Sequence, residues 1–341
     1  MPVLPSIDGS VSMPPPYLTS PAPMRPVQRA PRYLERMVHI LYENAAWLPP
    51  LTDALHARGL SHTPHFIDGG HFNVHAEPAS GLYVNRMSPS AHTRGHGDGV
   101  VYLREYLSYL DRWGRRTVNG SVAFALEISK VRQHAALEAA GILTPRTIAV
   151  AGTRTLKAAA RTMPLPFITK HNQGGKGIGV QLFRDLEAFD AYVDGPSFEP
   201  AFDGVTLLQA YIEPREPYIT RVEIVDGQFL YALRASTEQG FQLCPADACQ
   251  IQDASFCPVG DTGKFAVSPI TAEDPLVRAY VALCRAWSID AVGIEFVEGH
   301  DGRRYTYDLN FNTNYNSEVE EAVNVRGMGA WAALCERLLR A

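Results

Sequence analysis

The sequence predicts a mixed α/β protein: a small strand–helix layer followed by a larger region rich in antiparallel hairpins. Three observations carry that prediction. Residues 37–42 form a short apolar run followed by a helical pattern, the opening of an α/β layer. A glycine-rich loop at 174–179 lies between two short apolar runs. Asp226-Gly227 and Asp301-Gly302 each divide a pair of strand-like segments, the signal of a two-residue hairpin.

The elements follow in order. After the first strand, a helix from about Pro50 places Leu51, Ala54 and Leu55 on one face, with Gly59 where a left-handed C-terminal cap belongs. Residues 81–85 read as a strand and 100–113 as a helix, which completes an N-terminal domain over 36–118. Asn119-Gly120-Ser121 supplies N-cap residues for a helix that runs past Lys130 to Ala140. Strands at 147–150, 167–170 and 180–183 and helices at 153–161 and 186–193 form a central part over 119–204. The final part, 205–341, begins with the apolar stretch 205–211 and contains both hairpins. It also holds a helix started by Asp274 and Pro275 and a last helix at 329–339. No internal repeat is visible.

Length and composition set bounds. The 341 residues suffice for two or three domain-sized units. Apolar residues are 46% and charged residues 20%, and the formal net charge is −5. This balance argues against nucleic-acid and membrane partners, and no apolar run approaches the ~20 residues of a membrane span. Residues 1–35 are rich in proline and poor in apolar side chains, which predicts a mobile tail. They lack the basic and apolar regions of a signal peptide. Five cysteines, an odd and sparse set, predict reduced thiols and a cytoplasmic protein. Cys244, Cys249 and Cys257 cluster, but without the pair-plus-pair spacing of a zinc site.

Four groups of residues carry candidate chemistry. Lys170 ends a strand and leads into Gly174, Gly175, Lys176, Gly177 and Gly179, a loop that can aim backbone N–H groups and positive charge at an anion. It is neither the Walker pattern nor the Rossmann fingerprint, because a strand follows; alone, it is equally compatible with a flexible surface loop. Glu295, Asp308 and Asn310 lie in apolar strands that the Asp301-Gly302 hairpin places side by side. Two carboxylates and an amide carbonyl suit a hard, oxygen-liking cation such as Mg²⁺ on nucleotide phosphates. The strand ending in Gln209, Ala210, Tyr211 and Ile212 can offer backbone groups to an adenine edge, though by itself it is simply a buried strand. Arg221 and Arg234 flank the Asp226-Gly227 hairpin and offer forks for phosphate or carboxylate; exposed arginines on a sheet face would look the same.

The order of these pieces resembles the ATP-grasp superfamily, and within it the RimK-type ligases. Lys130 follows the Asn-Gly-Ser helix start, Lys170 precedes the glycine loop, and a Gln-x-Tyr-Ile strand comes next; an arginine-bearing hairpin and a terminal Glu…Asp-x-Asn set complete the order. The segment Asn85-Arg-Met-Ser-Pro-Ser90 is similar to an arginine-containing loop of those enzymes. The resemblance implies an ATP-grasp fold with a small N-terminal domain, a central lid and a C-terminal mixed sheet. It implies ATP held by Lys130, Lys170, the glycine flap and 209–212, and one or two Mg²⁺ (or Mn²⁺) ions held by Glu295, Asp308 and Asn310. Arg234, together with Arg221, would stabilise acyl-phosphate and tetrahedral states. Glu213, Glu216 and Tyr218 are candidates for the ribose hydroxyls, with Glu216 preferred. The chain departs from the family at Ala210, where an acid is common, and at 311–316, where Phe-Asn-Thr-Asn-Tyr-Asn replaces Ser-x-Pro-Gly.

The activity so implied is an ADP-forming ligase joining a carboxylate to an amine through an acyl-phosphate, on amino-acid or small-peptide substrates. Modification of a protein or peptide tail and a non-catalytic nucleotide-binding module are the alternatives, and the oligomeric state is open.

Overall fold

The parallel order of the first sheet follows from its connections. β1 (Met37–Tyr42) pairs in parallel with β2 (Ser61–Phe66) and β3 (Leu82–Arg86), and β3 with β4 (Thr117–Val118), in the order β2-β1-β3-β4. Alternating side chains point to opposite faces. Val38 and Ile40 therefore meet Leu51 and Leu55 of α1 (Pro49–Ala57) on one face. Leu41 and Tyr83 meet Leu103, Leu107 and Leu110 of α2 (Gly97–Arg112) on the other. β2 is not legible in the sequence: Ser-His-Thr-Pro-His-Phe is polar and contains Pro64, which an edge strand tolerates. The computed structural model describes residues 37–175, 177, 179–237 and 264–341; expectations for the proline-rich segment, Lys176 and the clustered cysteines lie outside these residues.

The helix expected to run from 121 to 140 is two helices. α3 (Ser121–Glu127) ends at Ile128, and Ser129 caps α4 (Lys130–Ala139) by accepting from the Arg132 N–H. The second sheet, order β5-β8-β6-β7, contains β5 (Thr147–Ala151), β6 (Phe167–His171), β7 (Gln181–Phe183) and β8 (Val205–Ala210), all antiparallel. α5 (Leu156–Ala160) and α6 (Leu186–Asp194) close its core around Phe167, Phe183 and Phe189. The boundary expected at 204/205 divides this sheet, because β8 begins at Val205 and lies between β5 and β6. α3 and α4 pack elsewhere: Ala123, Leu126, Ala136 and Leu137 share a core with the third sheet.

That third sheet has the order β11-β10-β9-β12-β13, from β9 (Tyr218–Val225), β10 (Gln228–Ser236), β11 (Phe265–Val267), β12 (Ala291–Glu298) and β13 (Arg304–Asn310). Asp226 and Gly227 both take positive φ, +54° and +66°, as the two-residue hairpin turn demands. α7 (Pro275–Ala286), capped by Asp274, covers one face. α9 (Gly327–Arg340) covers the other through Trp331 and Leu334, in a core shared with α1 and β1. Between them lies α8 (Ser317–Val323), which the sequence pattern does not announce. Among the described residues, no helix is long and apolar enough to cross a membrane.

Candidate active site

Side-chain clamps bring the second and third sheets to either side of one cavity. The Asn172 carbonyl accepts from the Lys130 N–H (3.1 Å) and its Oδ1 from the Val131 N–H (2.9 Å), which fixes the start of α4 to the end of β6. Gln133 ties α4 to β13: its Nε2 donates to the Leu309 carbonyl (3.0 Å), and its Oε1 accepts from the Leu309 N–H (3.1 Å). Lys130 and Lys170 thereby reach Asp308 from two elements.

The resulting cavity has a volume of about 430 Å³. Its walls include Lys130, Lys170, three glycines of the loop (Gly174, Gly175, Gly177) and residues 209–212 at the end of β8. Arg221, Glu295, Asp308 and Asn310 complete it from β9, β12 and β13. Strand register explains the last group: Glu295 stands opposite Asp308 on one side and Arg221 on the other.

Charge is arranged to neutralise these acids. Lys130 Nζ lies 2.5 Å from Asp308 Oδ1. Arg221 donates from Nε to Glu223 (2.6 Å), from Nη1 to Glu295 (3.1 Å) and from Nη2 to Thr313 Oγ1 (2.5 Å). Burial alone would raise the carboxyl pKa of Asp308, but Lys130 and Lys170 outweigh it and hold the group below the usual range. Burial pushes Glu295 up, against the pull of Arg221. Burial, aided by repulsion from Lys130, brings the Lys170 ammonium down to about 8 despite Asp308. Lys170 also sits over the Tyr307 ring, 5.1 Å from its centroid. His134 is driven to about 4 by burial and then by the two lysines, so a neutral ring meets Gln209 Nε2 at 3.0 Å.

Not every expected residue reaches the cavity. Arg234 does not line it: its ladder partner is Thr220, whereas Arg221 pairs with Leu233, so period-two alternation puts the two arginines on opposite faces. Arg234 stacks over the Tyr218 ring at 4.3 Å. Glu216 and Glu213 are exposed and are not among the lining residues, although Ile212 and Pro214 on either side of Glu213 are. Gly179 belongs to the loop but not to the cavity lining, and Lys176 is outside the described residues.

Two further groups, Glu127 and Glu223, are not legible in the sequence, whereas the loop carrying Arg86 is marked there only by its resemblance. Glu127 lines the cavity, accepts from the Phe311 N–H at 2.7 Å, and is raised to about 7 by burial. Glu223 is fully buried beside Arg221. Arg86 lies beneath the wall made by Ser88, Pro89 and Ser90 and bonds to Thr313 and Asn314. A glutamate inside a helical or strand pattern carries no sequence mark of burial; only its neighbours in space reveal it.

The donor set fits a hard divalent cation. Among the described residues, no three His, Cys, Asp or Glu side chains converge as ligands. The set is two facing carboxylates plus Asn310, whose Nδ2 is 3.3 Å from Glu295 Oε1. Oxygen donors of this kind suit Mg²⁺ better than a softer metal.

No family model and no curated protein matches the sequence. Solved structures do match. The D-cycloserine synthetase DcsG aligns over 88% of this chain and 99% of its own, with TM-score 0.60 and 18% identity. A RimK domain ATP-grasp protein from Sphaerobacter thermophilus aligns over 87% and 98%, with TM-score 0.62 and 18% identity. The ATP-grasp ligase PsnB, in complex with a minimal precursor, aligns over 89% and 98%, with TM-score 0.61 and 15% identity. With its three sheets and the cavity between the second and third, the chain has the ATP-grasp fold.

Proposed function

We propose that this protein is an ATP-dependent ligase of RimK type that joins a carboxylate to an amine through an acyl-phosphate. One observation carries the reading: Lys130, Lys170, Glu295, Asp308 and Asn310 line a single cavity although they come from four separate elements. A triphosphate needs such a place, where positive groups and a cation offset its charge.

A carboxylate is a poor electrophile, so its oxygen first attacks the γ-phosphorus of ATP, the bond to the bridging oxygen breaks, and ADP leaves. Positioning and charge neutralisation, rather than a protein nucleophile, lower that barrier. Lys130 and Lys170 hold the phosphate oxygens, and residues 209–212 present backbone groups to the base. Glu295, Asp308 and Asn310 would hold one or two Mg²⁺ ions, which would offset the negative charge of the phosphates. Arg221, kept in place by Glu223 and Thr313, faces the reacting carboxylate. The glycine loop covers the phosphates and excludes water, which would otherwise hydrolyse the acyl-phosphate. The amine then attacks the acyl carbon and phosphate leaves.

Amino acids or small peptides are the proposed substrates. A peptide tail as acceptor is the second reading, supported by the likeness to PsnB in its complex with a precursor. The test is release of ADP and phosphate across a matrix of carboxylic acids and amines, with products identified by mass spectrometry. Amine-dependent ADP release with an amide product is the expected result. Nucleotide binding without turnover for any pair would reduce the protein to a binding module.

A further inference from the structure

The ligase reading leaves one wall of the cavity unassigned. The glycine loop and the lysines face phosphates, and 209–212 face a base. The remaining lining includes Trp47, Ser88, Ser90, Asn312 and Asn314, together with Glu127 and His171. Arg86 holds the two asparagines in defined and opposite orientations. Its Nη2 donates to Asn314 Oδ1 at 2.6 Å, which turns the Asn314 Nδ2 donor away from it. Its carbonyl accepts from Asn312 Nδ2 at 3.0 Å, which leaves Asn312 Oδ1 as the free end of that amide. Asn312 Oδ1 is buried and has no hydrogen-bond partner among the described residues. One side chain thus offers a donor and the other an acceptor.

The cation beside this pair is Arg86, whose guanidinium is bonded to the Thr313 carbonyl and to Asn314 Oδ1. Among the described lining residues, Lys130 is bonded to Asp308 and, with Lys170, is committed to phosphate, while Arg221 is bonded to Glu223, Glu295 and Thr313. Residues 238–263, outside the described set, contain no Lys, Arg or His in sequence. Lys176 belongs to the glycine loop. A substrate carrying a spectator carboxylate would compete with Asn314 and Thr313 for Arg86 and would lie beside the buried acids Glu127 and Glu295.

We propose that Asn312 and Asn314, oriented by Arg86, read a carboxamide on the amine substrate, so that the acceptor is a peptide or an amidated amino acid rather than a free one. The acceptor's C=O takes the Asn314 Nδ2 hydrogen and its N–H donates to Asn312 Oδ1. This rests on the ligase reading and narrows its acceptor class. A site built to hydrogen-bond a group discriminates strongly against an analogue lacking it.

The test measures ADP release by the full chain with MgATP, a panel of carboxylic acids, and acceptors in matched pairs: alanine against alaninamide, and glycine against glycinamide and glycylglycine. The amidated or dipeptide member should exceed the free amino acid by roughly tenfold or more in kcat/KM. In Asn314→Asp, Arg86 keeps its acceptor but the donor is lost; the KM for the amide acceptor should rise roughly tenfold while the KM for ATP stays unchanged. Equal or better use of free amino acids overturns the inference and leaves the ligase reading standing, as does an Asn314→Asp variant with an unaltered acceptor KM. Absence of ADP release with every pair overturns both.

Discussion

Asp308 is held ionised by Lys130 and Lys170. Asp308→Asn keeps the shape and removes one negative charge from the proposed cation site. ADP formation should fall by more than roughly a hundredfold, with an unchanged circular-dichroism spectrum. Turnover within a few-fold of wild type would remove Asp308 from the chemistry. Lys170 has a pH signature of its own. Its ammonium titrates at about 8 in the free protein, and bound phosphate favours the charged form. Nucleotide affinity is therefore steady below pH 8 and declines above it, by up to roughly tenfold per pH unit. Lys170→Arg keeps its charge throughout and flattens that slope; titration calorimetry between pH 7 and 9.5 distinguishes the two.

The β9–β12–β13 ladder acts as a unit. Its register sets Arg221, Glu295 and Asp308 in one row, and the close approach of Arg221 depends on Gly293. A Cβ at Gly293 would lie 2.5 Å from Arg221 Nε and 2.6 Å from its Cζ. Gly293→Ala should therefore displace the guanidinium, cost about 1–3 kcal/mol of stability as overpacking does, and lower kcat at least roughly tenfold. A thermal melt and steady-state kinetics on one preparation check both parts; native kcat would show that Arg221 moves without consequence. The break between α3 and α4 has a comparable role. It puts Lys130 in the first turn of α4, where Asn172 and Gln133 lock it to both neighbouring sheets.

The cavity walls come from both the second and third sheets, so the nucleotide of the proposed function should couple its binding to the stability of the whole molecule. A ligand that binds only the assembled cavity stabilises it by mass action. At a hundred times its Kd, MgATP should add about 2.7 kcal/mol and raise the melting temperature by roughly 5 °C. ATP with a chelator should give a smaller rise, and Asp308→Asn should abolish the difference between the two. Identical shifts with and without Mg²⁺ in the wild-type protein would separate the acidic set from nucleotide binding.

Local patterns alone determined most elements and their order. Apolar runs, the Asp-Gly turns and the Asp274-Pro275 helix start are properties of neighbouring residues, and the structure repeats them. Lys170, the glycine loop and the Glu295, Asp308, Asn310 set were legible because charged or flexible residues interrupt otherwise apolar strands, whereas Lys130 was legible only through the resemblance to the ATP-grasp order. Tertiary structure decided the rest. Whether Arg221 or Arg234 faces the cavity depends on strand parity, since a shift of one residue exchanges the two faces. β8 joins the second sheet through pairing partners far away in sequence. Glu127 and Glu223 carry no mark in the sequence until packing buries them, and the partners of Arg86 appear only in the fold. The orientations of Asn312 and Asn314 exist only because Arg86 reaches across more than two hundred residues of chain to fix them.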